Sequence, residues 1–229
     1  MFFLLIETGT AVCSIALARG AQIVALRENK EGRAHAQMVA PFIHEIIHEQ
    51  HCTIADVDAV VVSEGPGSYT GLRVGVSTAK GICFGAQKPL IAVNSLLSLV
   101  HVAIANHCLP SSGCLIAPMI DARRLEVYTA LFDAQGNQLS GITAEIINEN
   151  SFAETLAQQP VLFIGDGADK CRTLLQHPNA LFAGITASAA GMLLPAIDAF
   201  AQRKFVDAAY FEPFYLKDFV ITTAKKKIL

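Results

Sequence analysis

The sequence predicts an α/β protein of two related halves, and three observations predict it. A meander of apolar segments opens the chain. Continuous apolar segments then alternate with segments of helical period, the order that builds a mostly parallel sheet covered by helices. A weaker echo of the same order follows a turn-rich stretch, NHCLPSSG, at residues 106–113.

The elements follow in order. MFFLLIETGT is apolar through Ile6 and then turns polar, as a buried strand entering a turn does. CSIALARG and AQIVALREN, joined by Gly20-Ala21, continue the meander. HAQMVAPFIHEIIHEQH switches period: Met38, Val39, Phe42, Ile43, Ile46 and Ile47 share one helical face. Pro41 sits in the first turn of that helix or kinks it. DAVVVS, ending at Ser63, is a continuous apolar strand of the kind buried on both faces. The glycine loop EGPGSYTG leads into a helix over 71–86. PLIAVN is a further buried strand, and SLLSLVHVAIANH a further helix, capped by Asn94 or Ser95.

This β-β-β-α-β-α-β-α order sets a first half at 1–106. CLIAPMIDARR, LEVYTALFDAQG and NQLSGITAEIIN read as three strands, SFAETLAQQ as a short helix and PVLFIGDG as a strand with a helix after it. They make a smaller, degraded half over 107–186. A helix over 187–203 returns to the first half, and 204–229, with PFYLKDF, is an extended segment.

Composition narrows the function. Hydrophobic residues make up 52 % of the chain and charged residues 16 %, against about 25 % charged in a typical soluble domain. A surface so poor in charge fits one partly covered by another subunit. The net charge of −3 argues against a broad basic face for nucleic acid, and Lys225, Lys226 and Lys227 read as a solvated tail. Phe2 to Ile6 is too short for a signal-peptide core. No apolar run approaches the ~20 residues that span a bilayer. The six cysteines are scattered without a Cys-x-x-Cys pair, which speaks against a disulfide framework or zinc knuckle and for a reducing cytoplasm.

Three candidate chemistries stand out. HEIIH at 44–48 matches the His-Glu-x-x-His pattern of zinc peptidases. At 100° per residue, however, His44, His48 and His51 fall opposite the apolar face, which favours a solvated or partner-facing surface. Asp121 and Asp166 lie at strand ends, where α/β sites gather and where acids equally close turns. The loop of Gly65, Gly67, Ser68 and Gly71 lacks the Lys-Ser/Thr of a Walker motif. Its backbone amides could hold an anion at a helix N-terminus, or its glycines could serve only to shape the turn.

The helix after the loop is more specific. Gly71, Gly75, Thr78, Ala79, Gly85 and Ala86 share one side of its wheel, and Arg73, Ser77, Lys80 and Phe84 another. Interior glycine costs ~1 kcal/mol relative to alanine, so Gly75 and Gly81 call for close approach by a neighbour, within the chain or in a second subunit.

GPGSYTGLRVGVSTAKG, with ETGT before it, IDARRLEVY after it and the closing PFYLKD, resembles the TsaB family. The likeness is strongest over the first 130 residues. It implies an actin-like (ASKHA, ribonuclease H-like) fold and a cytoplasmic, non-catalytic subunit of the machinery that forms threonylcarbamoyladenosine beside the tRNA anticodon. The implied partners are a TsaD-like catalytic paralogue, a TsaE-like ATPase and a second copy of the chain, with tRNA reached only through the complex and no cofactor held. The paralogue's metal-binding His-x-x-x-His is reduced here to His35 with Val39, and an aspartate of the phosphate turn is replaced by Glu7. The resemblance places the partner on the first two helices, with Arg73, Gly75, Ser77, Thr78, Lys80, Ile82 and Phe84 as candidate contacts. The competing expectation is a stand-alone zinc peptidase or ATPase of the actin-like fold.

Overall fold

A computed structural model describes residues 1–32, 34–110 and 113–217. The lysine tail at 225–227 lies outside the described residues. Two five-stranded sheets carry the chain. The first contains β1 (Phe2–Glu7), β2 (Cys13–Arg19), β3 (Gln22–Asn29), β4 (Ala59–Gly65) and β5 (Leu90–Asn94), in the order β3-β2-β1-β4-β5. The second contains β6 (Leu115–Asp121), β7 (Glu126–Thr129), β8 (Thr143–Ile146), β9 (Val161–Ile164) and β10 (Ala180–Phe182), in the order β10-β9-β6-β7-β8.

The two orders are one topology. In each sheet the first three strands form an antiparallel meander, the fourth pairs parallel with the first, and the fifth pairs parallel with the fourth. The helices show where the halves diverge. The first half has α1 (His35–Glu49), α2 (Tyr69–Ala86) and α3 (Ser95–Ala105); the second keeps only α4 (Ala153–Gln158) at the place of α1.

Burial explains why β1 and β4 read so plainly. Phe2, Leu4 and Ile6 face one core with α1 and α2, while Phe3 and Leu5 face another with residues 189–200. A strand buried on both faces has no place for alternation. Fully burying each such side chain contributes ~1.5–3 kcal/mol. In α1, Val39, Ile43 and Ile46 are buried, with Met38, Phe42 and Ile47 packed beside them. Pro41 lies in the interior of that helix, beyond its first turn, on an exposed side.

Two elements depart from expectation. No α-helix stands between β9 and β10; a 3-10 turn at Asp169–Cys171 takes its place. Ala168, Cys171 and Leu175 supply an inward stripe, but Pro178 cuts the segment before a longer helix can form. The returning helix is also shorter: a 3-10 turn at Ala189–Met192 leads into α5, Leu193–Ala201. Ala189, Met192, Leu193 and Ala196 pack on the first sheet beneath Phe3 and Leu5. α3 packs on the second sheet through Leu96, Leu99, Val100 and Ala103.

Beyond α5 the chain becomes a strap. Val206 bridges to Leu90 at the edge of β5. Lys80 Nζ on α2 donates to the carbonyls of Ala209 and Phe211, at 3.2 and 2.9 Å. Phe214 N then donates to Glu64 O at 2.7 Å, and Lys217 pairs with Glu126 on β7 of the second sheet.

Candidate functional site: the sealed glycine loop and the outer face of α2

The glycine loop is occupied by its own chain. After β1 the turn Thr8-Gly9-Thr10 lies under the start of α2. Ser68 N donates to Gly9 O at 2.7 Å. Ser68 Oγ caps α2 by accepting from Gly71 N at 3.3 Å, and Gly65 N donates to Ser95 Oγ at 3.1 Å. Three of the amides that could have met an anion, those of Gly65, Ser68 and Gly71, are therefore spent on internal acceptors. A Cβ on Gly67 would sit well under 3.0 Å from Gly9 O, one on Gly71 equally close to Thr8 O, and one on Gly75 equally close to Thr8 Oγ1. The three glycines, four residues apart, form a seat for the β1–β2 turn. Gly75, expected among the partner contacts, is buried in that seat.

The opposite side of α2 is different. Arg73 and Ser77 are exposed, and Phe84 is 81 % exposed, the most of any phenylalanine among the described residues. Arg73 Nη1 donates to the Tyr69 hydroxyl at 3.2 Å, its guanidinium lies 5.3 Å from that ring's centre, and Tyr215 of the strap packs on the same ring at 4.9 Å. Phe84 edges a hollow of about 380 Å³ lined also by Cys83, Gln87, Lys88 and Pro89 with Ala208 and Ala209 of the strap. Thr78, Lys80 and Ile82 are half-buried: Thr78 bonds the Val74 carbonyl, Lys80 holds the strap and Ile82 packs toward the first core. Among the described residues nothing lies within 4 Å of a Cβ placed on Gly81 or Gly85.

Between the sheets sit acids from both halves. Glu7, at the end of β1, is fully buried; burial above all, then the charge of Asp166, pushes its carboxyl up to about 7 against the pull of the Gly9 and Thr8 amides and the Ser63 hydroxyl. Gly9 N donates to its Oε1 at 2.6 Å, while Oε2 has no hydrogen-bond partner among the described residues. Asp166 follows β9 and is likewise pushed up, mainly by burial; it accepts from the backbone amides of Asp121, at 3.0 Å, and Ala11. Asp121 pairs with Lys170. Asp121 closes its own turn by accepting from Arg123 N at 2.8 Å, whereas Asp166 reaches across from the end of β9 to the end of β6 and to the β1–β2 turn of the first sheet.

The histidine candidates are not gathered. His44, His48 and His51 are exposed, and the first two stack at 6.2 Å. Glu45, the glutamate of HEIIH, pairs with Arg27 at 3.1 Å. Among the described residues no group of three or more His, Cys, Asp or Glu is placed to hold a metal ion. His35 turns inward at the start of α1, its Nε2 at 3.0 Å from Thr10 O and 3.3 Å from Val12 O. With only carbonyls facing it, Nε2 acts as the donor, and the residue serves as a brace for the turn.

The sequence reading missed the strap and the seat beneath α2. The seat had a signal in Gly67, Gly71 and Gly75 at intervals of four; the strap had none, since its contacts are largely backbone carbonyls.

The family model described as "TsaD: tRNA N6-adenosine threonylcarbamoyltransferase" matches residues 28–224. The tRNA threonylcarbamoyladenosine biosynthesis protein TsaB of Escherichia coli is 28 % identical over 225 residues, 95 % of each chain. That of Bacillus subtilis is 31 % identical over 172 residues, 72 % of this chain and 71 % of its own. A tRNA N6-adenosine threonylcarbamoyltransferase of Sphingopyxis alaskensis is 44 % identical over 64 residues, 28 % of this chain and 19 % of its own. Among solved structures, YeaZ from Pseudomonas aeruginosa superposes with a TM-score of 0.80 at 26 % identity, over 94 % of this chain and 99 % of that one. A dehydratase activator from Clostridium difficile shares the fold, with a TM-score of 0.52 at 11 % identity, over 90 % of this chain and 99 % of that one.

Proposed function

Because this chain belongs to the TsaB (YeaZ) family of tRNA threonylcarbamoyladenosine biosynthesis proteins, we propose that it serves that modification by docking rather than by chemistry of its own. Its partner is the TsaD-like transferase, a paralogue of the same fold, with a TsaE-like ATPase joining the pair and tRNA reached through the assembly. The chain stands alone as a homodimer through the same surface.

One observation carries this reading: α2 has a sealed inner side and an unspent outer side. The glycines that could have opened a ligand site hold the chain's own turn, while Phe84 stands almost wholly in water. A phenylalanine there gives nothing to the fold, and aromatic side chains beside arginine are the usual anchors of protein interfaces. A partner of like fold suits such a face, because two related helices can meet across a near two-fold axis.

Replacing Phe84 with alanine tests it. Titration against the purified transferase is expected to show affinity reduced by roughly 30-fold, about 2 kcal/mol, with the melting temperature unchanged because the ring is exposed. Unaltered affinity for both Phe84→Ala and Arg73→Ala would remove this face from the contact.

A further inference from the structure

A second feature points away from α2, to the turn between β6 and β7. Arg123 and Arg124 are consecutive, and both adopt left-handed backbone, with φ of +75° and +54°. Side chains other than glycine, asparagine and aspartate are rarely held there. The turn is firmly tied: Arg123 N donates to Asp121 Oδ1 at 2.8 Å, Ala122 N to Glu126 O at 3.0 Å and Glu126 N to Arg123 O at 3.1 Å. Both arginines are exposed.

The charges around them are already matched. Asp121 is paired with Lys170, Glu126 with Lys217 of the strap, and Asp169 with Arg172. Among the described residues neither arginine of the turn has a carboxylate within ion-pair distance. The lysines thus neutralise the acids of the turn and leave two adjacent guanidinium forks facing solvent, on a chain whose net charge is −3. A strained, well-anchored conformation that displays two unmatched cations is the kind of backbone outlier that marks a binding site.

We propose that the Arg123–Arg124 turn is a contact for the phosphodiester backbone of RNA, used when the assembled complex holds its tRNA. Guanidinium forks match phosphate oxygens in pairs. Two such contacts position an RNA without reading its sequence, and they need no broad basic face. This inference rests on the docking reading above, and it adds a direct tRNA contact on the half of the chain that does not carry α2.

Asparagine tolerates the left-handed region, so the double variant Arg123→Asn, Arg124→Asn removes the charges without disturbing the turn. tRNA binding by the complex with the transferase is measured by fluorescence anisotropy over a salt series. The variant is expected to bind about tenfold more weakly, and its log–log salt slope to be shallower by roughly 1.5, at about 0.7–0.9 for each phosphate that is no longer neutralised. Its melting temperature should stay level or rise, and it should co-elute with the transferase as the wild type does. The lysine pair, Arg123→Lys with Arg124→Lys, should restore most of the slope. An unchanged slope in the asparagine variant overturns the proposal. So does loss of co-elution without a change in slope, which makes the turn a protein contact, or full competition by millimolar ATP, which makes it a nucleotide contact. If the wild-type chain does not join the transferase, the docking reading has failed; the same series on the isolated chain then decides the turn by itself.

Discussion

Gly71→Ala is expected to destabilise the protein by at least about 3 kcal/mol, read as a lower urea midpoint at unchanged slope. Overpacking a core commonly costs ~1–3 kcal/mol because side chains can rotate aside. Here the obstacle is the Thr8 carbonyl oxygen, and backbone cannot rotate aside. Thr8 follows β1, whose register with β2 and β4 is fixed along its length. The added methyl must lift α2 off the turn, and with it the hydrogen bond from Ser68 N to Gly9 O. Gly81→Ala is the matched control on the same helix. Among the described residues nothing stands within 4 Å of its Cβ, so helix propensity alone acts, and stability is expected to rise by up to ~1 kcal/mol. Equal effects at the two positions would refute the seat.

Glu7 gives the second large effect, as a dependence on pH. Its carboxyl is pushed from 4.5 to about 7 in the fold. Below 4.5 both folded and unfolded chains carry the proton, and no penalty arises. As the pH rises from 4.5 toward 7 the unfolded chain releases its proton while the folded chain keeps it, so stability falls. Above about 7 both are ionised and the loss is complete. At about 1.4 kcal/mol per pH unit across that interval, the loss is about 3 kcal/mol. Glu7→Gln keeps an acceptor for the Gly9 amide and cannot ionise, so its stability difference from the wild type should change by this amount between pH 4.5 and 7.5. The comparison is needed because other groups act in the same window. Asp166, pushed up mainly by burial, adds to the loss, whereas burial holds His101 down and acts in the opposite sense. A difference that stays flat with pH would show that Glu7 is ionised in the fold throughout.

How much of this was legible in the sequence depended on whether the deciding contact was local. β1 and β4 were plain because burial on both faces leaves an unbroken apolar run, and Val39, Ile43 and Ile46 were plain because one helix face suffices to show them. The repeated three-up, two-across sheet was visible only as an echo, since the second half keeps only a short counterpart of α1 and, among the described residues, none of α2 or α3. The wheel of α2 separated Gly75 from Phe84 correctly but could not say which side was inside. That is decided by the oxygens of Thr8 and Gly9, some sixty residues earlier in the chain. The left-handed pair at Arg123 and Arg124 gave no signal, because arginine is not a residue from which such backbone is read. The missing helix after β9 was an error of length: the inward stripe was real, and Pro178 ends it.

Whether the chain works by contact is tested most directly by one assay. Threonylcarbamoyladenosine formed on tRNA is quantified with purified transferase, ATPase and threonylcarbamoyl donor, with this chain omitted, present as wild type, or present as Phe84→Ala. The expected result is product only when the chain is added, less of it with Phe84→Ala at limiting concentration, and none from the chain by itself. Product from the isolated chain, or a transferase that works equally well without it, would contradict the account.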